Sequence, residues 1–553
     1  MSYRVNVIGE FWMKGTTAIT NILKAEGVKW VTGYYDGGGA THIIDACREA
    51  GIRPIHTRSE RVGVNIADGF TRVTNGRPNG VAVVGGGQTV GVAYSGISQA
   101  WSDNVPLLVL ASSVVRDRTG MGVIQDYDPM HVFKPITKWT ETINYAYRVP
   151  ELMMRAFTYL RSGKPSPVVL VTPHDVPIEE FPDDKYSYTP VAAIKSQGNP
   201  RSVEVAVRAL LNANSPIIYA GEGTLYAEAW DELREFAELL QAPVMTTMKS
   251  KSVFPENHPL SVGHGGRTGT KAAAHFLKKS DLVFCIGASL QRGAGADVSG
   301  RVIVQVDATE YYMNKDHVTN HALLGDAKLV LRQAIDEVKK QTNDAGKENK
   351  AVVEEIVKVK KEFIDEWMPL MTSNDVPINP LRVYWELMHT VDVKKTIITH
   401  DAGNVRDQLC PLWESLTPRG YVGWGGQSGL GSSMGLAIGA KLARPDCLCI
   451  QAAGDGGFAY TATDFETTVR EKIPILSLVI NNSSLSGGLG LSGDWSKLGE
   501  AMGGYSERVE KPDEIIPAIK RAISSVDSGR SAVLEVITKP QRNTHTRYWS
   551  GLA

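Results

Sequence analysis

The segment GDGGFAYTATDFETTVREKIPILSLVINN, residues 454–482, decides how this chain is read. An apolar run, LCIQAA (448–453), enters Gly454-Asp455-Gly456-Gly457. A helical pattern follows, and a second apolar run, ILSLVI, ends at Asn481-Asn482. Strand, glycine turn, helix and strand make one βαβ unit, whose parallel strands end on the same sheet edge, where ligands bind. Asp455 and Asn482, 482 − 455 = 27 positions apart, are therefore expected to converge. Mg2+ prefers hard oxygen ligands in octahedral geometry. The Asp455 carboxylate, the Asn482 side-chain carbonyl and the Ser484 backbone carbonyl suit it, with two phosphate oxygens and a water completing the shell. The amide N–H groups of Gly456 and Gly457, at the helix start, would face a diphosphate. Alone, Gly-Asp-Gly is a capped turn and Asn-Asn another turn. The composite of both with two strands favours the metal reading.

The same rhythm extends outward. TTAITNILKAE (16–26) has helical spacing, and VAVVGGG (81–87), PLLVLASS (106–113) and PVVLVTP (167–173) read as strands. A polar, proline-containing stretch at about 180–202 reads as a linker. SPIIYAGEG (215–223), DLVFCIGAS (281–289) and RVIVQVD (301–307) form a second α/β unit. A charged helix over about 345–368 carries a mostly solvated face. The third unit opens near 375 and contains TIITHDAGN (396–404). The fold expected is α/β, three doubly wound parallel-sheet domains over 1–185, 200–345 and 372–553.

Composition sets limits. With 553 residues, 59 basic and 60 acidic, the chain has no basic excess to hold nucleic acid or an anionic membrane. Five cysteines are scattered, and the Cys447-Leu448-Cys449 pair lies on a strand with no further Cys or His beside it in sequence. This sparse, odd count fits a reducing cytoplasm. The opening MSYRVNVIGEFWMKG has no secretory apolar run, and no stretch approaches a membrane span. A cytoplasmic location is expected.

The Gly-Asp-Gly to Asn-Asn interval resembles the thiamine-diphosphate signature. KLARPDCLCI (441–450), SVFPENHPLSVG (252–263) and HTRSERVGVNIADGFTRVTNGRP (56–78) resemble acetolactate-synthase-type large subunits, and the loop before the metal motif is similar to that of benzoylformate decarboxylase. The resemblance covers essentially the whole chain. It implies pyrimidine-binding, central and diphosphate-binding domains, with thiamine diphosphate and Mg2+ as cofactors. It also implies a homodimer or homotetramer with active sites at the subunit interface.

Thiamine chemistry needs a carboxylic acid beside N1′ of the aminopyrimidine. The family places this glutamate at the head of a helix reading E-x6-A-D-G-x-x-R, and here Glu60 stands there, followed by Ala67-Asp68-Gly69 and Arg72. The plainer role for Glu60 is a first-turn carboxylate favoured by the helix dipole. Arg58 and Arg61 flank it as solvated or ion-paired groups. In GGQSGLGSSMGLAIGAKLARP (425–445), the resemblance makes Leu430 the bulky wedge that bends the cofactor, and makes the Ser428 carbonyl an acceptor for its 4′-amino group. An acetolactate-synthase register would make Met434 the wedge. Gly403 and Asn404 match the family's diphosphate-contacting turn. Gln125, in GMGVIQDYD, resembles a glutamine that points at the reacting carbon; a surface-loop glutamine is the alternative. Gln88 sits in a loop that can face the same site. His56 and His131 are lone histidines, either proton shuttles or structural.

Departures from the family pattern leave the substrate open. GYYDGGGA (33–40) carries an extra Asp36, GGGQTVG (85–91) replaces a Gly-Pro-Gly loop, and the segment after Asn482 is short and glycine-rich. GEGTL (221–225) and VDATE (306–310) resemble a flavin- or ADP-carrying domain, but a lone Gly-x-Gly is weak, so FAD is possible and not expected. The tail QRNTHTRYWSGLA (541–553), with Arg547, Tyr548 and Trp549, either closes over the site or packs on the surface. The function expected is a thiamine-diphosphate- and Mg2+-dependent carboligase or lyase acting on small 2-oxo acids or 2-hydroxy ketones, without a nucleic-acid or membrane partner. A simple 2-oxo acid decarboxylase, a flavin-containing oxidase, a C–C hydrolase and a catalytically silent relative are the alternatives.

Overall fold

The computed structural model describes every residue except 1–10, 36–37, 292–295, 428, 486–487, 542–547 and 550–553. Its strands, in chain order, are β1 (Trp12–Lys14), β2 (Trp30–Gly33), β3 (Arg53–His56), β4 (Val81–Val84), β5 (Leu108–Ser113), β6 (Trp139–Thr142), β7 (Val168–Pro173) and β8 (Glu180–Pro182). The middle of the chain contributes β9 (Pro216–Ala220), β10 (Val244–Thr246), β11 (Ser261–His264), β12 (Leu282–Ile286), β13 (Val302–Asp307) and β14 (His321–Leu324). The last part contributes β15 (Thr396–His400), β16 (Tyr421–Val422), β17 (Leu448–Gly454), β18 (Leu476–Asn481), β19 (Ser484–Leu485), β20 (Leu489–Gly490), β21 (Tyr505–Val509) and β22 (Ala532–Ile537).

Three six-stranded sheets result, each entirely parallel: β3-β2-β4-β5-β7-β6, β11-β10-β9-β12-β13-β14 and β16-β15-β17-β18-β22-β21. Counted within each domain, the first and third share the order 2-1-3-4-6-5. The central domain has 3-2-1-4-5-6, the order of dinucleotide-binding folds. The central strands of the first sheet, VAVV (81–84) and VVLVTP (168–173), are buried at every position, because helices cover both faces. The strand order of the three sheets reverses at β2/β4, β9/β12 and β15/β17, and ligand crevices open at the carboxyl ends of such pairs.

The stretch read as a linker from about 180 is partly structured. β8 pairs antiparallel with β1, and Asn199 caps the helix Pro200–Asn212 by accepting from the Arg201 and Ser202 N–H groups. The charged helix runs from Lys350 to Met371 and buries Val352, Ile356, Val359, Phe363, Trp367 and Met371 along one face; most of its charges lie on the other, though Lys360 turns inward to the Glu256 carbonyl. Among the described residues no helix is long and apolar enough to cross a membrane.

The first and third domains meet through two helices, Glu60–Val73 and Ser432–Ala443, both buried along most of their length. Glycines bring the two backbones together. A Cβ at Gly439 would stand 2.2 Å from the Ile66 carbonyl oxygen, and one at Gly69 would stand 2.4 Å from that of Leu436. Beside this contact lies a buried ionic network. Arg72 binds Asp68 at 2.5 Å and Asp103 at 3.0 Å, and donates to the Gly423 carbonyl at 2.8 Å. Asp103 also accepts the N–H groups of Gly425 and Gly426, at 3.3 and 3.0 Å. Burial drives the Asp103 carboxyl upward, but Lys249 and Arg72 prevail and hold it below its ordinary range. Lys249, from the central domain, pairs with Glu222 at 2.8 Å and reaches Asp103 at 3.7 Å, so all three domains join here.

Candidate active site

The third sheet's reversal point opens into a cavity of about 760 Å³. Its lining includes Gly403, Asn404, Leu430, Asp455, Gly456, Gly457, Asn482 and Ser484. The convergence of Asp455 and Asn482 follows from strand register. Gly454 of β17 lies opposite Ile480 of the adjacent parallel β18, so both residues sit just past the same edge. Asp455 is 4% exposed. Its Oδ1 accepts from the Gly456 N–H at 2.8 Å, while Oδ2 is buried with no hydrogen-bond partner among the described residues. Burial pushes this carboxyl upward, against backbone N–H groups of Gly456, Ser484 and Ser483. The Asn482 side-chain carbonyl accepts from the Ser484 N–H at 3.0 Å. A buried carboxylate oxygen without a donor is what a hard cation would satisfy, and the oxygen-only donor set of Asp455, Asn482 and the Ser484 carbonyl fits Mg2+.

Gly403 leads from β15 into the helix Asn404–Leu412 with φ of +89°, a conformation that glycine adopts without strain. Gly456 and Gly457 begin the short helix Asp455–Ala459 behind the carboxylate. The C-terminal segment Thr538–Gln541 completes one wall; its Lys539 is ion-paired with Asp375.

Leu430 lines the cavity at the head of the helix Ser432–Ala443. Met434, one turn into that helix, is fully buried in a core shared with Ile55, Val62 and Ile66 and does not line the cavity. Asp401, at the end of β15, accepts the Gly431 N–H at 2.9 Å and the Ser433 hydroxyl at 2.5 Å. Burial pushes Asp401 upward, opposed by these hydrogen bonds and that from Ala402. On the opposite side the Arg61 guanidinium donates to the Leu430 carbonyl and lies 5.8 Å from the Tyr460 ring. Ser428 and Asp36 lie outside the described residues.

Glu60 is buried at the first position of its helix, after the N-cap Ser59. Gln125 is exposed and has φ of +65°, unusual for a side chain larger than glycine's. It packs on Gly87, where a Cβ would come within 2.9 Å of it, and Gln88 follows directly. Neither Glu60 nor Gln88 nor Gln125 lines the 760 Å³ cavity of the same chain. Arg58 is paired with Glu466 at 2.9 Å. His131 is exposed and paired with Asp128 at 2.5 Å, and His56 contacts Arg48 at 3.3 Å.

In the central domain the β9/β12 crevice is closed by backbone. The Gly223 N–H donates to the Gly287 carbonyl at 2.9 Å, and a Cβ at Gly221 would stand 2.3 Å from that oxygen. The adjoining cavity, about 150 Å³, is smaller than ordinary ligand pockets. The tail reaches this domain. Trp549 is 1% exposed in its core against Gly269, and the Tyr548 hydroxyl accepts from Trp367 Nε1 at 3.1 Å. Arg547 lies outside the described residues. Among the described residues no group of three or more His, Cys, Asp or Glu is arranged to hold a metal; of the two neighbouring cysteines, Cys449 lies on β17 and Cys447 just before it. Sequence reasoning missed Asp401, Asp103 and Lys539. For Asp401 the available signal was an acidic residue at a strand end before a Gly-Asn turn.

Family models match three stretches: the thiamine pyrophosphate enzyme N-terminal TPP binding domain over 13–132, the central domain over 203–334 and the C-terminal TPP binding domain over 401–536. A probable acetolactate synthase large subunit from Methanococcus aeolicus is 31% identical, covering 93% of this chain and 90% of the relative. Its counterpart from Methanocaldococcus jannaschii is 31% identical over 96% and 92%. A glyoxylate carboligase from Escherichia coli O157:H7 is 26% identical over 96% and 94%. With all three family domains matched in order and relatives 31% identical over most of its length, the chain belongs to the thiamine-pyrophosphate-dependent enzymes, in the group similar to acetolactate synthase large subunits.

Proposed function

We propose that this chain is a thiamine-diphosphate- and Mg2+-dependent carboligase acting on a 2-oxo acid. The observation that carries the reading is the buried Asp455 Oδ2, which has no hydrogen-bond partner among the described residues, in one cavity with Asn482, Ser484 and Leu430. Relatives named as acetolactate synthase large subunits and a glyoxylate carboligase support carboligation over other outcomes.

Bound thiamine diphosphate would supply a nucleophilic carbon for the carbonyl of a 2-oxo acid and an electron sink for the pair released with CO2. Asp455, Asn482 and the Ser484 carbonyl would hold Mg2+ on the diphosphate. Gly403, Asn404, Gly456 and Gly457 would line the diphosphate, leaving backbone close to its oxygens. Leu430 would press between the two rings, with the Ser428 carbonyl accepting from the 4′-amino group. Glu60, dry at its helix start, would share a proton with the pyrimidine N1′. Gln125, held in a left-handed conformation, would orient the substrate carbonyl or hydroxyl. In the balanced reaction one oxo acid loses CO2, its acyl carbon bonds to the carbonyl carbon of a second, and the new alkoxide takes a proton.

Because Glu60, Gln88 and Gln125 stand outside the cavity of their own chain, we assign them to the cavity of a second copy, in at least a homodimer. The test is incubation with a panel of 2-oxo acids, glyoxylate included, with CO2 and product counted together. Carboligation gives one CO2 for two oxo acids consumed and a product containing a new C–C bond. One CO2 per oxo acid with a free aldehyde identifies a simple decarboxylase instead.

A further inference from the structure

We propose that Asp401 is a positioning residue that fixes the loop holding Leu430 against the cofactor, and that residue 457 is glycine to leave room for it. The inference rests on the reading of Leu430 as the wedge. Asp401 is 0% exposed. Its Oδ1 accepts from the Ala402 N–H at 2.8 Å and the Gly431 N–H at 2.9 Å. Its Oδ2 accepts from the Gly431 N–H at 3.0 Å, the Ser433 N–H at 3.3 Å and the Ser433 hydroxyl at 2.5 Å. Every partner is a donor, so the site wants two acceptor oxygens, which a carboxylate has and an amide lacks. The helix Ser432–Ala443 has no side-chain cap from its own N-cap, Gly431, so Asp401 supplies one from a different strand.

The support is continuous with the sheet. Ser433 Oγ, donating to Asp401, accepts from Gln451 Nε2 at 3.1 Å, and Gln451 Oε1 accepts from the Ser477 hydroxyl at 2.7 Å. Ser433, Gln451 and Ser477 are fully buried. Three adjacent strands, β15, β17 and β18, thus set the position of Gly431, and Leu430 precedes it directly. From the other side the Thr461 hydroxyl donates to the Gly431 carbonyl at 3.2 Å. A Cβ at position 457 would lie 2.6 Å from Asp401 Oδ1. A side chain there would push the carboxylate off its donors.

The experiment uses the full chain loaded with thiamine diphosphate and Mg2+. Cofactor affinity is measured by calorimetry, and exchange of the bound cofactor's C2 proton in D2O by NMR. Asp401→Asn, isosteric but with an amino group facing N–H donors, is expected to bind cofactor within about threefold of wild type and to exchange at least about tenfold more slowly, since a small misplacement of reacting atoms carries such a loss. Ser433→Ala, a milder change that keeps the carboxylate, is expected to slow exchange by about threefold and serves if Asp401→Asn does not fold. Wild-type exchange in the folded Asp401→Asn protein, or in Ser433→Ala where that stands in, overturns the proposal. Glu60→Gln and Leu430→Ala run alongside. If Glu60→Gln exchanges like wild type, the proton-sharing reading fails independently. If Leu430→Ala does, the wedge reading fails and this proposal with it.

Discussion

A Cβ at Gly435 would stand 2.5 Å from the Asn65 Cβ, so the helix of the third domain and the helix that begins with Glu60 touch backbone to backbone. The contact lies within the first two turns of both helices, the one that Glu60 opens and the one that follows Leu430. Gly435→Ala is therefore expected to destabilise the protein by roughly 1–3 kcal/mol, overpacking outweighing the better helix propensity of alanine. Thermal unfolding checks this; a variant as stable as wild type would show that the two helices can separate freely.

Asp103 carries the second junction. It is fully buried, binds Arg72 and receives the N–H groups of Gly425 and Gly426. Asp103→Ala removes a partner from a buried guanidinium and is expected to cost about 3–5 kcal/mol. Denaturant unfolding of the loaded enzyme reads the loss. A cost below about 1 kcal/mol would mean that water or a rearranged partner replaces the carboxylate.

Asp307 gives a pH signature. Burial beside the central-domain crevice raises its carboxyl to about 7 from an ordinary 3.8. The folded state thus holds this proton more tightly than the unfolded chain does. Its contribution to stability is complete below pH 3.8 and is lost as pH rises through about 7. Asp307→Asn should therefore gain in Tm relative to wild type as pH rises from 4 to 8. Parallel Tm curves for the two proteins would show that the carboxyl titrates normally.

Glu60 is expected to act through its proton. Glu60→Gln keeps the shape and should lower turnover by about 10²–10⁴-fold, the usual contribution of a positioned acid or base. Steady-state rates on the preferred oxo acid, with cofactor saturating, measure it. Loss of less than about threefold would return Glu60 to the role of a helix-start carboxylate.

What the sequence could convey depended on how local each feature was. The approach of Asp455 to Asn482 was legible because both close strands of one βαβ unit, and register does the rest. Three parallel-sheet domains were legible from apolar runs between glycine turns. The pairing of Glu180–Pro182 with Trp12–Lys14 was not, since its partner strand starts the domain and the stretch itself is polar. Which of Leu430 and Met434 faces the cavity was not legible, because it depends on the helix starting at Ser432, which leaves Leu430 outside and turns Met434 into the core. Asp401 carried a local signal, but its partners were not legible, because they belong to a loop some thirty residues later that folds back upon it. The tail showed two fates in sequence, and in the structure Thr538–Gln541 wall the cavity while Trp549 is buried in the central domain.

Asp455 and Asn482 are proposed to hold a divalent cation that anchors a diphosphate. Calorimetric titration of thiamine diphosphate into wild type and Asp455→Ala, each with Mg2+ and with EDTA, tests it most directly. Wild type is expected to bind tightly only with Mg2+, and Asp455→Ala at least about 100-fold more weakly under the same conditions, a loss of about 2.7 kcal/mol. Equal affinity of the two proteins, or wild-type binding indifferent to Mg2+, would contradict it.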